Sequence, residues 1–107
     1  MDFVQITTTT ETAAEARKIA DHLVEQRLAA CVQVMGPITS TYRWQGSVER
    51  AEEFMCFVKT RCAMAAKVEA AIVSLHSYEN PEIVVTPIEG GSSDYLAWVA
   101  SETTPDP

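Results

Sequence analysis

Three side chains of this 107-residue chain stand out as metal-ligand candidates: Cys31, His76 and Glu82. A thiolate, an imidazole and a carboxylate together suit a soft or borderline ion such as copper or zinc. None lies at a ligand-like spacing from another, so only the fold can bring them together. Each also has a structural reading. Cys31 sits in Leu-Ala-Ala-Cys-Val and buries readily as a small hydrophobe. His76 closes a helical pattern, where imidazole can bond the last carbonyls. Glu82 is a candidate partner for Lys59, a cation directly after an apolar strand that needs a carboxylate. Tyr42 and Trp44 read as interface residues whose polar tips can line a cleft between subunits. Glu49, Glu52 and Glu53 read as a solvated strand edge.

Several chemistries have no residues to support them. Gly90-Gly91-Ser92-Ser93 lacks the lysine and the remainder of a phosphate loop. There is no G-x-S-x-G elbow, and no nucleophile with an adjacent base can be placed, so an enzyme is not expected. Fifteen acidic against 8 basic residues give a net charge of -7. That balance offers no basic face for nucleic acid, and an anionic membrane surface repels it. No apolar run approaches the roughly 20 residues that span a bilayer. Three cysteines cannot form a closed disulfide framework. With no signal-peptide pattern at Met1-Asp2-Phe3, they indicate a reducing, cytoplasmic setting.

The elements that must position these residues follow from periodicity. Phe3 to Thr9 is β-branched and reads as a strand. Thr12-Ala13-Ala14-Glu15 fits a capping box opening a helix, whose apolar stripe is Ala16, Ile19, Ala20, Leu23, Val24 and Leu28. Val32, Val34, Ile38, Tyr42 and Trp44 then share even positions, with Gly36-Pro37 suggesting a bulge or bend. Gln45-Gly46-Ser47 reverses the chain. The return arm ends in Phe54-Met55-Cys56-Phe57-Val58, apolar on both faces and in need of cover on both. Met64, Ala65, Val68, Ile72 and Leu75 mark a second helix without a clean cap. Residues 82–88 read as a last strand and 94–99 as a short aromatic helix. The chain is one domain over 1–101, with a flexible tail over 102–107.

This order, β-α-β-β-α-β with a short C-terminal helix, suggests an α+β ferredoxin-like sandwich. Its hairpin is too long for the rest. Arms of about 13 residues reach roughly 43 Å, against about 22 Å for a helix of about 15 residues. An isolated two-stranded arm is marginal in water, and Ile38, Tyr42, Trp44 and Val48 suit a solvated tip poorly. The geometry therefore predicts a homo-oligomer in which the overhang packs on another copy.

The motifs Leu28-Ala29-Ala30-Cys31-Val32, Ser40-Thr41-Tyr42-Arg43-Trp44-Gln45-Gly46 and Val58-Lys59-Thr60 resemble those of the divalent-cation tolerance (CutA) proteins. His76-Ser77-Tyr78, Pro81-Glu82-Ile83 and Asp94-Tyr95-Leu96-Ala97-Trp98 continue the match in register. The resemblance implies a homotrimer built like the PII signalling trimers, non-enzymatic, with a role in tolerance of copper or another divalent ion. It also implies that Cys31, Tyr42, Trp44, Lys59, His76, Tyr78, Glu82, Tyr95 and Trp98 surround an intersubunit cleft or interface. The alternatives are a PII-like sensor of a small effector in that cleft, and a scaffolding trimer with a protein partner. The chain departs from the family pattern at Gln33, Gln45 and Ser77. It also carries Thr8 and Leu75 where some members with a proposed copper site have cysteine and histidine.

Overall fold

A computed structural model describes residues 2–104. Strand β1 (Phe3–Thr10) is followed by helix α1 (Ala13–Glu25). Strands β2 (Cys31–Trp44) and β3 (Ser47–Arg61) form the long hairpin. A 3-10 turn (Cys62–Met64) leads into helix α2 (Ala65–Leu75), then come strand β4 (Val84–Ile88) and helix α3 (Ser93–Glu102). The sheet order is β2-β3-β1-β4, and each neighbouring pair is antiparallel. This is the ferredoxin-like arrangement expected from the element order.

The cap on α1 is half of the expected box. Thr12 Oγ1 accepts from Glu15 N–H at 3.1 Å, but the Glu15 carboxylate turns away to Ser77. Ala16, Ile19 and Leu23 of α1 and Val68 and Ile72 of α2 are buried. They pack on Val4, Ile6 and Val58 of the sheet as one core. Hydrophobic burial of this stripe, more than helix propensity, holds the helices. Helix α2 has no side-chain cap at Met64, and the preceding 3-10 turn takes the place of one. The last strand begins at Val84, so Glu82 lies just before it.

Gln45 and Gly46 both have positive φ, 47° and 83°, the conformation a two-residue hairpin turn needs to match strand twist. Strand β1 pairs with β3 only from Phe54 to Arg61. Residues 47–53 of β3 therefore extend beyond β1 with β2 as their sheet partner, and the molecule measures 49 × 25 × 21 Å.

The register changes at Gly36-Pro37. Met35 pairs with Met55, but Ile38 pairs with Glu53, one residue out of step. Before the bulge, Val32 and Val34 face the helices alongside Val58 and Cys56. After it, the even residues Ile38, Ser40, Tyr42 and Trp44 share the opposite face with Met35, Met55 and Phe57. The shared even numbering of Val32, Val34, Tyr42 and Trp44 therefore does not mean a shared face. A bulge of one residue reverses side-chain parity.

Helix α3 crosses one end of the face that α1 and α2 leave open. Leu96 shares a groove with Phe3 and Ile88, and Val99 is buried. Arg61 donates to Thr103 through Nε (Oγ1, 3.0 Å) and Nη2 (carbonyl, 2.6 Å). Arg27, at φ 58°, reaches the Ser101 carbonyl at 2.9 Å. Of the tail expected from residue 102, Glu102 ends α3 and Thr103 is fully buried. Residues 105–107 lie outside the described residues.

A Cβ on Gly36 would stand 2.5 Å from Phe54 Cδ1 and 3.1 Å from the Glu53 carbonyl oxygen. Gly36→Ala is expected to cost about 1–3 kcal/mol through overpacking at the bulge. Urea unfolding reads this directly, and an unchanged midpoint would show that the Phe54 ring yields freely.

Candidate functional site

Two polar clusters flank the core. The first lies where the segment after α2 meets the end of β1 and the start of α1. The His76 side chain is 0% exposed. Its Nε2 lies 2.8 Å from the Thr9 carbonyl, and its Nδ1 accepts from Tyr78 N–H at 3.1 Å. A carbonyl can only accept, so the ring is the neutral Nε2–H tautomer. Glu15 Oε1 stands 3.4 Å from Nδ1. The Glu15 carboxylate takes Ser77 N–H at 2.9 Å and Ser77 Oγ at 3.0 and 2.9 Å. Tyr78 Oη donates to Glu53 Oε2 at 2.8 Å, and its ring lies 4.9 Å from that of His76. With both ring nitrogens engaged, His76 presents neither a metal-ligating lone pair nor a general base.

Titration is displaced in this cluster. Burial, then the hydrogen bond to Glu53 and the charges of Glu53, Glu11 and Glu15, push the Tyr78 hydroxyl well above the usual phenol range. Burial, with a smaller contribution from Glu15, pushes the Cys56 thiol up to about 11. Cys56 pairs across the sheet with Thr8, whose buried hydroxyl has no hydrogen-bond partner among the described residues.

The second cluster lies on the open face. Cross-strand register lines up Cys31, Lys59, Gln5 and Thr86 in one row over β2, β3, β1 and β4. Lys59 Nζ donates to Gln33 Oε1. Tyr95 and Trp98 of α3 stack with ring centroids 5.6 Å apart. The Tyr95 hydroxyl is raised by burial, then by the charge of Cys31 and a hydrogen bond with it.

Of the residues expected at a site, Cys31, Lys59 and Tyr95 come together, with Trp98 beside Tyr95. His76 and Tyr78 come together at the other cluster. Tyr42 and Trp44 stand out on the overhang, 43% and 55% exposed. Glu82 is exposed ahead of β4. The proposed metal trio of Cys31, His76 and Glu82 is not assembled. Among the described residues of one chain, no three His, Cys, Asp or Glu side chains are grouped so as to hold a metal ion. The residues present therefore do not fit a built metal centre in a single chain. Lys59 bonds Gln33 rather than Glu82. Glu53 is 8% exposed, not the solvated edge acid its neighbours Glu49 and Glu52 remain.

The sequence and fold decide the family. Residues 4–102 match the model for the CutA1 divalent ion tolerance protein. This chain belongs to the CutA1 family. It is similar to the divalent-cation tolerance protein CutA of Thermus thermophilus, with 46% identity over 88 residues, 82% of this chain and 85% of that protein. The solved structure of CutA from Xylella fastidiosa superposes with a TM-score of 0.95 at 33% identity, covering 97% of this chain and 100% of that one. A structure described as the periplasmic divalent cation tolerance protein CutA from Archaeoglobus fulgidus gives 0.93 at 38% identity, covering 95% and 99%. The family model and the Thermus and Archaeoglobus descriptions name a tolerance protein and no reaction. No helix among the described residues is long and apolar enough to cross a membrane.

Because the Cys56 and Tyr78 protons are held more tightly in the folded chain, the unfolded chain releases them first as pH rises. Stability is expected to hold up to about pH 8.5 and then to fall, by at most about 1.4 kcal/mol per pH unit for each group. The Cys56 part is lost between about pH 9 and 11; the Tyr78 part begins near pH 10. Urea midpoints against pH for the native chain, Cys56→Ala and Tyr78→Phe check this. Each substitution should flatten its own part of the decline.

Proposed function

We propose that this chain acts as a cytoplasmic homotrimer, PII-like in architecture, in tolerance of divalent metal ions, copper among them, and without catalysing a reaction. The observation that carries the trimer is the aromatic face of the overhang. Ile38, Tyr42 and Trp44 share one face of the overhang, where Tyr42 and Trp44 remain 43% and 55% exposed in the single chain. A neighbour's sheet gives it cover and protects the sheet edges. Laid head-to-tail on a neighbour's sheet, such an arm forms a ring where the rotation between copies closes. Three free cysteines, Cys31, Cys56 and Cys62, support a reducing compartment.

In this reading the ion is met weakly, through one residue such as Cys31 or Glu82 at a time, because the His76 nitrogens are engaged within the chain. An effector-sensor role is the second reading, and the row of polar side chains on the open face favours it. A row built of thiol, ammonium, amide and hydroxyl is suited to hold a small polar molecule better than to pack a core.

Light scattering should give a solution mass three times the 11.8 kDa of the chain. Trp44→Asp places a charge on this face of the overhang and is expected to shift the protein toward smaller species. A native mass of one chain would overturn the trimer. Calorimetric titration with copper in reducing buffer should show weak binding that no single substitution at Cys31 or Glu82 abolishes. A loss confined to one of them, in a folded variant, would instead reveal a dedicated site.

A further inference from the structure

We propose that the Cys31–Lys59–Gln5–Thr86 row, walled by Tyr95 and Trp98, binds a small organic carboxylate with an apolar or aromatic body; this deepens the effector-sensor reading and rests on it. The four side chains project from neighbouring strands about 4.8 Å apart, on the face away from α1 and α2. The strand neighbours of Gln5 and Lys59, namely Val4, Ile6, Val58 and Thr60, are fully buried on the other side.

Charge selects the ligand. Lys59 is half-buried, and the register places no Asp or Glu in its own row. The next row, Gln33, Phe57, Thr7 and Val84, contains none either. Its ammonium has the Gln33 amide oxygen as a partner, which leaves two of its three N–H donors to offer. An ammonium with no carboxylate in its own or the next row of the sheet attracts an anion locally. A single cation with no glycine-rich backbone cradle matches a carboxylate better than a phosphate dianion. The Gln5 amide and Thr86 hydroxyl extend the polar floor.

The walls select the body. Tyr95 and Trp98 are each 41% exposed, presenting ring surface beside Cys31, while Phe57 and Val84 continue the floor as apolar surface. This wall is fixed before any ligand arrives, because Arg61 and Arg27 hold the far end of α3. A site formed in advance loses less entropy on binding.

Benzoate is the probe, with benzylamine and inorganic phosphate as charge controls, each titrated into the full chain by calorimetry. Benzoate should bind saturably and both controls much more weakly. Lys59→Gln should weaken benzoate about tenfold or more, as loss of a charged hydrogen bond does, while Lys59→Arg retains it within a few-fold. Thermal unfolding and light scattering of the same samples confirm that each variant is folded and assembled. Equal benzoate affinity in Lys59→Gln, benzylamine binding as well as benzoate, or phosphate binding more tightly would overturn the proposal. A parallel thermal-shift panel of neutral and cationic metabolites separates the two readings. A specific shift there, without benzoate binding, overturns the carboxylate and keeps the sensor. No shift with any compound, and no benzoate binding, overturns both.

Discussion

A one-residue change of register between Met35 and Ile38 governs how the two halves of the long hairpin are used. Below it, β2 gives Val32 and Val34 to the helix side of the sheet. Above it, the same strand turns Ile38, Tyr42 and Trp44 to the opposite side. Without the shift, the overhang would present its aromatic side chains on the helix side, away from Met55 and Phe57. The close approach of Gly36 to Phe54 and to the Glu53 backbone explains why the bulge sits at a residue without a side chain. Glu53 itself lies at the register step, where it leaves solvent and receives the Tyr78 hydroxyl.

The two ends of the fold are fastened by polar contacts as well as by apolar packing. The segment after α2 has few buried apolar residues, and Glu15, His76 and Glu53 tie it to α1, β1 and β3. Helix α3 is tied by Arg61 and Arg27 to its last carbonyls and to Thr103, where a cation also suits the helix dipole. Buried polar groups of this kind are stable only when each finds a partner. Thr8 is the exception in the first cluster.

Much of this was legible from sequence. The strand over residues 3–9, the Thr12 cap, the apolar stripe of α1 and the overhang itself follow from period, composition and length. What stayed hidden depended on register between distant strands. Even numbering grouped Val32 with Trp44 because nothing local counts the residues absorbed by a bulge at Gly36-Pro37. Glu15 reads correctly as part of a helix start, but its second partner, Ser77, is 62 positions away. Glu53 looks like Glu49 and Glu52 until Tyr78 arrives over it. The row from Cys31 to Thr86 joins four strands from across the chain, so only the sheet order reveals it. Residue type shows which side chains can ligate, while within one chain the fold has spent both His76 nitrogens on Thr9 and Tyr78.

Lys59 links the proposed assembly to the proposed ligand. If neighbouring copies cover the open face, they draw water away from this ammonium. Removing a charge from water costs several kcal/mol unless a partner compensates. The Gln33 amide is neutral and returns only part of that. A carboxylate bound at Lys59 supplies the missing countercharge and strengthens the assembly by the same free energy with which assembly strengthens its binding, since linkage is reciprocal. The ammonium is then an unfavourable element in the ligand-free assembly and a favourable one in the bound assembly. That difference is what a sensor requires: the ligand must favour one state over the other, because equal affinity for both shifts nothing.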